Sequence, residues 1–166
     1  MSLTLLSYPK LPENEIRITT YFKDKNYLSQ FGTEHYGVDM AQQTYRAPVY
    51  AISDGVICRL QNPNDKTTLK AVGLKHTGLI VDKNCYSQYF HFDEIAGWQM
   101  GDYVKKGDRL GYQGNTGVST GAHLELQFWI TSKSYVFNWK DTAKYAVNPL
   151  DYIYLYPDQK LILDPE

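Results

Sequence analysis

The sequence predicts a mostly β protein that folds as a single domain around a largely antiparallel sheet. Short runs alternate between apolar and polar residues, as strands with one buried face do. Clusters of turn residues separate these runs, and helical periodicity is nearly absent between residues 16 and 130. A length of 166 residues is enough for one domain and short for two. We therefore expect residues 1–166 to form one unit.

Five runs show the alternation most clearly and are predicted to be strands, at residues 49–52, 55–60, 79–81, 86–90 and 123–130. Residues 82–85 indicate a hairpin connection, which would place residues 79–81 beside residues 86–90. A segment rich in glycine and other small residues, 114–121, leads into the last run. That run puts His123, Glu125, Gln127 and Trp129 on one face, because strand side chains alternate with a period of two.

Composition and charge exclude some classes of partner. The formal net charge is -1, so nothing in the charge balance favours nucleic acid. No stretch approaches the roughly 20 apolar residues of a membrane span, and the first residues lack the basic start and apolar run of a signal peptide. The two cysteines, Cys58 and Cys85, are too few for a disulfide framework, and the sequence leaves open whether they pair.

Three of the four histidines lie where turns and strand ends direct side chains into a groove. His35 and Asp39 are four residues apart, and an imidazole with a carboxylate suits zinc, although such a pair alone is more typical of a surface or turn role. His123 and Glu125 share a strand face at about 7 Å, which suits either one ion or a solvent-exposed edge. His91 follows a predicted strand, and His76 has no companion and is given no role.

These elements occur in an order that resembles a known family of peptidases. The segments are Arg-Ile-Thr-Thr at 17–20, His-Tyr-Gly-Val-Asp at 35–39, Ala-Pro-Val-Tyr-Ala at 47–51, Asp-Gly-Val-Ile at 54–57, Tyr-Phe-His at 89–91, Gly-Asp-Tyr-Val-Lys-Lys-Gly-Asp at 101–108, Leu-Gly at 110–111, Gly-Asn-Thr-Gly at 114–117, Ser-Thr-Gly-Ala-His-Leu at 119–124 and Val-Asn-Pro-Leu at 147–150. Together they resemble the lysostaphin-like (LytM-type) zinc endopeptidases of bacterial cell walls. The resemblance covers about residues 16–153 and leaves 154–166 as a C-terminal extension.

The resemblance implies the fold, the metal and the site. It implies an antiparallel sheet of the lysostaphin-type, duplicated hybrid motif, kind. It implies that His35, Asp39 and position 125 hold Zn²⁺, or another divalent metal, while His91 and His123 handle protons and the developing oxyanion. Peptidoglycan peptides are the implied substrate. An extracytoplasmic, wall-associated or phage-borne location is then expected.

Position 125 departs from the family, because the second histidine of its His-x-His pair is a glutamate here. Glutamate can ligate zinc, but it would bring the centre from about +1 to near zero, so its water is less acidic and hydrolysis slower. Three functions remain open: an endopeptidase of full or weakened activity, a non-catalytic relative that binds the wall or serves as a scaffold, and a polymer-binding β-domain with incidental histidines.

Overall fold

The fold is a mostly β single domain, as predicted. A computed structural model describes residues 6–7, 15–42, 44–65, 68–132, 134, 138–154 and 160–165. The strands are β1 (Leu6–Ser7), β2 (Glu15–Thr20), β3 (Val38–Ala41), β4 (Pro48–Tyr50), β5 (Gly55–Gln61), β6 (Ala71–His76), β7 (Asn84–Phe90), β8 (Phe92–Ile95), β9 (Tyr103–Val104), β10 (Arg109–Gln113), β11 (Leu124–Thr131), β12 (Ala146–Val147), β13 (Ile153–Tyr154) and β14 (Lys160–Leu163). The α-helices are α1 (Lys25–Phe31) and α2 (Thr142–Tyr145), and short 3-10 helices cover Trp139–Asp141 and Pro149–Asp151.

A large sheet positions the residues of interest. Its strand order is β14-β2-β3-β11-β7-β6-β5-β9, with β12 also pairing with β11. All neighbours are antiparallel except β14, which runs parallel to β2. A small antiparallel sheet has the order β4-β10-β8, and β1 pairs with β13. The centre of the large sheet, β3-β11-β7, carries the chain segments with the candidate residues.

One hydrophobic cluster joins the two sheets. It includes Ile18, Met40 and Leu126 from the large sheet and Val49 and Leu110 from the small one, all at most 1% exposed. Burying such side chains stabilises the fold by roughly 1.5–3 kcal/mol each. Because Leu126 faces this core, alternation directs its neighbours in β11 to the opposite face, where the predicted site lies.

Two features of the fold differ from the sequence prediction. The strand that precedes β7 in the hairpin is β6, and residues 77–83 connect the two, so residues 79–81 are a loop rather than a strand. Leu79 anchors that loop because it is only 6% exposed, whereas Val81 is 63% exposed. The apolar composition of 79–81 therefore reflects a buried loop anchor.

The second difference is helix α1, which the sequence prediction missed. Asp24 caps its first turn by accepting hydrogen bonds from the backbone N–H groups of Asn26 and Tyr27, and Gly32 ends it at φ 71°. Seven residues are too few to show a helical period, but this pair of cap residues is a usable signal. Among the described residues, neither helix has the length and apolar character that crossing a membrane requires.

Candidate metal centre

Two neighbouring strands and the segment before one of them bring the three predicted ligands together. Asp39 on β3 lies directly opposite Glu125 on β11 in the antiparallel register. His35 precedes β3, and its Nε2 lies 3.1 Å from Asp39 Oδ1 and 3.8 Å from Glu125 Oε1. One donor atom from each residue lies within 4.8 Å of the other two, a spacing at which all three reach a single ion.

The other two predicted residues border this group. His91 follows β7, whose last residue pairs with Glu125, and its Nε2 lies 3.4 Å from Glu125 Oε2. His123 precedes β11 and places its Nε2 3.7 Å from Asp39 Oδ1. The two rings lie side by side, with centroids 4.5 Å apart. His91 adopts φ 72°, a left-handed conformation that is uncommon outside glycine and is typical of functional positions.

Each of these histidines has its Nδ1 bonded to the backbone. The Nδ1 atom of His35 lies 3.0 Å from the carbonyl oxygen of Tyr21. The corresponding distances are 2.6 Å from His91 Nδ1 to the Thr116 carbonyl and 2.8 Å from His123 Nδ1 to the Gly121 carbonyl. Because a carbonyl only accepts, Nδ1 must donate, and in the neutral ring the lone pair is then on Nε2. All three Nε2 atoms point towards the carboxylates. This is the arrangement in which an outer hydrogen bond fixes an imidazole for a metal.

The donor set fits a divalent cation. Asp39 Oδ1 is buried and accepts no hydrogen bond among the described residues. Burial lowers the pKa of His35, but the negative charges of the Asp39 carboxylate, 3.1 Å from its Nε2, and of Glu125 outweigh it and raise that pKa to about 9. The pKa of Glu125 is lowered although burial raises it, chiefly through His91 and His35. Two carboxylates beside these rings demand positive charge, which a proton on His35 supplies in the metal-free chain and a divalent cation supplies when it binds.

Comparison with known proteins identifies the chain. Residues 33–137 match the family model described as Peptidase family M23. This chain belongs to peptidase family M23. The lysostaphin-like resemblance is therefore confirmed. The match covers every candidate residue, from His35 to Glu125.

Two curated relatives of this M23 chain are named as enzymes. An uncharacterized metalloprotease of Buchnera aphidicola is 31% identical over 132 residues, which are 77% of this chain and 32% of that protein. The glycyl-glycine endopeptidase ALE-1 of Staphylococcus capitis is 34% identical over 96 residues, 58% of this chain and 25% of that one. This chain thus spans about a third or less of the relatives' length.

Solved M23-like structures share the fold. A zinc-containing peptidase from Vibrio cholerae is 25% identical with a TM-score of 0.62, over 79% of this chain and 38% of that one. The catalytic domain of the antimicrobial peptidase lysostaphin from Staphylococcus simulans is 26% identical with a TM-score of 0.56, over 89% and 87% of the two chains.

The centre of this M23 chain lies where two cavities meet. One has a volume of about 310 Å³ and the other about 520 Å³, and both are lined by Tyr27, His35 and Glu125. Phe31 and Val118 line the smaller cavity. The Tyr27 ring stacks on His35 at 4.6 Å. Concave space thus borders the centre, as a site that binds an extended chain requires.

Residues that the sequence prediction missed hold Glu125 in place. Gln127 Nε2 donates to Glu125 Oε1 at 2.8 Å, and Trp129 Nε1 donates to Gln127 Oε1 at 3.1 Å. A Cβ at Gly37 would lie 2.6 Å from the Leu126 carbonyl and 3.2 Å from Glu125 Cγ. Glycine in the His-x-Gly-x-Asp segment therefore makes room for the carboxylate. The shared face of 125, 127 and 129 was the available signal.

The histidine with no predicted role and the cysteines lie outside the centre. His76 is fully buried, with Nδ1 2.6 Å from the Asp54 carbonyl and Nε2 2.7 Å from Ser87 Oγ. Cys58 and Cys85 are both free thiols in this M23 chain.

Proposed function

We propose that this chain is a metal-dependent endopeptidase that cleaves peptide bonds of bacterial peptidoglycan. In this proposal His35, Asp39 and Glu125 hold Zn²⁺, with another divalent metal as the alternative. The observation that carries it is the convergence of these three donors within 4.8 Å under two cavities. A relative named as a glycyl-glycine endopeptidase and a structural neighbour titled as a zinc-containing peptidase support the substrate class and the metal.

The proposed chemistry is hydrolysis with proton transfer by histidine. When bound, the metal acidifies a water molecule and polarises the scissile carbonyl. His91 and His123 present Nε2 beside Glu125 and Asp39, at 3.4 and 3.7 Å. One imidazole accepts a proton from the attacking water and delivers it to the leaving amine. The other, once protonated, donates a hydrogen bond to the oxygen that gains negative charge.

Their backbone bonds prepare the two histidines for these roles. The carbonyls of Thr116 and Gly121 accept from Nδ1 and so keep each Nε2 available for the proton. Both carbonyls belong to the glycine-rich segment 114–121. We infer that this segment sets the orientation of the proton carriers, and that the groove binds the peptide on both sides of them.

Glu125 gives the centre less positive charge than a histidine would. Two carboxylates neutralise a divalent ion, so its water is less acidic and the carbonyl less polarised. Two oxygen ligands also favour harder ions such as Mn²⁺ more than a histidine-rich set does. The proposed enzyme is therefore slower than one with two histidines and one aspartate as ligands.

The same residue favours a second candidate function. A non-catalytic relative that binds the wall or serves as a scaffold needs the groove but no fast hydrolysis, and a carboxylate at position 125 is compatible with that. Either function requires contact with peptidoglycan, so we propose an extracytoplasmic, wall-associated or phage-borne location.

The deciding experiment measures metal and hydrolysis on one preparation. Protein purified without added ions is loaded with Zn²⁺ or Mn²⁺ and incubated with purified wall fragments. We expect one metal per chain and new amino termini that are absent with the Asp39→Ala variant. Stoichiometric metal without cleavage by either loaded form would contradict the endopeptidase proposal and favour the binding module.

A further inference from the structure

Hydrogen bonds from neighbouring side chains on β11 hold the Glu125 carboxylate in place. Glu125, Gln127 and Trp129 lie on one face of β11 at successive alternate positions. The Trp129 indole donates to Gln127 Oε1, and Gln127 Nε2 donates to Glu125 Oε1. We call these three residues the β11 ladder. Burial is high throughout, since Trp129 and Gln127 are 1% and 8% exposed and the Glu125 side chain is 15% exposed.

The direction of each bond in the β11 ladder is fixed by chemistry. An indole N–H only donates, so it selects the oxygen of the Gln127 amide. That choice turns the NH₂ group of Gln127 towards Glu125, whose carboxylate only accepts. One end of the ladder thus determines the orientation at the other. The carboxylate is left with Oε1 3.8 Å from His35 Nε2 and Oε2 3.4 Å from His91 Nε2.

A carboxylate needs this support more than an imidazole would. The glutamate side chain has three rotatable torsions, and fixing long side chains costs conformational entropy. Gly37 has no side chain, and a Cβ there would lie 3.0 Å from Gln127 Cγ and 3.2 Å from Glu125 Cγ, so glycine leaves room for both side chains beside the backbone just before β3. Hydrogen bonds to ligating carboxylates are a general means of holding them towards a metal.

We propose that Gln127 is the positioning residue of the centre, holding the Glu125 carboxylate towards His35 and Asp39 with its own amide fixed by Trp129. This inference rests on the proposed role of Glu125 as a ligand. Gln127 itself does not touch the metal in this proposal. Removing the Gln127 amide should therefore lower metal affinity and alter the geometry of the ligands.

The test uses the full chain and measures zinc affinity by competition with a chromophoric chelator. Gln127→Met keeps the length of the side chain and removes the amide, and we expect zinc to bind about 10–100-fold more weakly. Trp129→Phe keeps a ring and removes the N–H, and we expect a smaller loss in the same direction. Adding Trp129→Phe to Gln127→Met should not weaken zinc binding any further, because Trp129 acts through Gln127.

A cobalt-loaded sample gives a second measurement, since its visible spectrum reports the ligand geometry that Gln127→Met disturbs. Thr131→Val, a 4% exposed position on the same face of β11, is the matched control and should leave affinity and spectrum unchanged. Wild-type affinity in Gln127→Met, or fully additive losses in the double variant, would overturn the inference. Zinc affinity that depends on the β11 ladder in a protein that cleaves no wall peptide would contradict the proposed function alone.

Discussion

Position 125 contributes a partly buried carboxylate to the proposed metal centre. Glu125 lies between Asp39 on β3 and the end of β7, so any side chain there points into the centre. Its identity sets the charge of the ligand set, whereas strand register sets its place. A substitution at this position therefore changes chemistry more than it changes architecture.

Replacing Glu125 with histidine should raise hydrolysis of wall fragments. The change removes one negative charge from the ligand set, so we expect tighter zinc binding and a rate about 10–100-fold higher, tenfold for each 1.36 kcal/mol of transition-state stabilisation. The measurement compares both proteins at matched zinc and pH. A scaffold would gain metal without activity. A wild-type enzyme that loses activity with histidine would show that Glu125 belongs to the mechanism.

Removing either proton carrier should separate catalysis from metal binding. His91→Ala and His123→Ala delete side chains that we place outside the ligand set. We expect each to lower hydrolysis by about 10²–10⁴-fold, because a positioned acid or base contributes that much. Metal content, measured by elemental analysis, should stay near the wild-type value. An equal loss of metal and activity would place that histidine among the ligands.

Much of the site was predictable at this scale, and the reason is local. His35 and Asp39 share one short segment, and strand alternation places Glu125 beside Gln127. The hydrogen bonds around them were not predictable, because Thr116 and Tyr21 are distant in sequence from the rings they orient. Their roles as ligands and proton carriers remain predictions.

At the scale of elements, strands β6 and β7 are joined by a buried polar network. His76 on β6 contacts Ser87 on β7, whose hydroxyl is hydrogen-bonded to that of Tyr89. Tyr89 also accepts from the backbone N–H of Ile52. His76 Nδ1 donates to the Asp54 carbonyl, so in the neutral ring Nε2 accepts from the Ser87 hydroxyl. No pattern in the sequence marks this histidine, because its partners Asp54 and Ser87 come from two other segments of the chain.

This network should make the fold sensitive to acid. Burial lowers the pKa of His76 to about 4, well below its usual 6.5. Between pH 6.5 and pH 4, His76 therefore binds a proton in the unfolded chain and stays neutral in the folded chain. Stability from this group is full above pH 6.5 and falls as pH drops towards 4, by about 3 kcal/mol in total.

Urea unfolding of metal-free protein at several pH values measures this effect. His76→Gln abolishes the titration, while the other ionisable groups are common to both proteins and cancel in the difference. We expect the free energy of unfolding of the wild type to fall more steeply between pH 6.5 and 4 than that of His76→Gln. Parallel curves would show that His76 has the same pKa in the folded and the unfolded chain and would contradict this prediction.

At the scale of the whole molecule, metal and fold should stabilise one another. The two carboxylates face each other across adjacent strands, which is unfavourable without positive charge between them. An ion that binds only the folded chain adds about 4 kcal/mol when present at a thousandfold excess over its dissociation constant. For a chain of this size that raises Tm by about 8–16 °C.

Calorimetry before and after chelation checks this prediction. Chelator should lower the Tm of the zinc-loaded protein by that amount, and Zn²⁺ added beyond the capacity of the chelator, to the same free concentration as before, should restore it. The Asp39→Ala variant serves as the control, because its Tm should not respond to either addition. A wild-type Tm that ignores the chelator would mean that the group binds no ion.

The fold class was predictable from the period-two pattern, but strand order was not. The alternation of β11 shows which of its side chains share a face, but it does not predict that β3 and β7 are its neighbours. Pairing between distant strands depends on the common core, which a single sequence does not display. Strand β14, in the predicted C-terminal extension, is the clearest case, because it runs parallel to β2 at the edge of the sheet.

Strand β14 affects whether copies of this chain can associate through the edge of the large sheet. An open sheet edge offers unpaired N–H and C=O groups on which a second molecule can add a strand. Here β14 covers four residues of β2, and Arg17 and Asp164 form an ion pair at 2.7 Å beside it. The opposite edge of the described sheet is β9, only two residues long. Both edges of the described sheet are therefore short, and they favour neither fibre growth nor edge-to-edge aggregation.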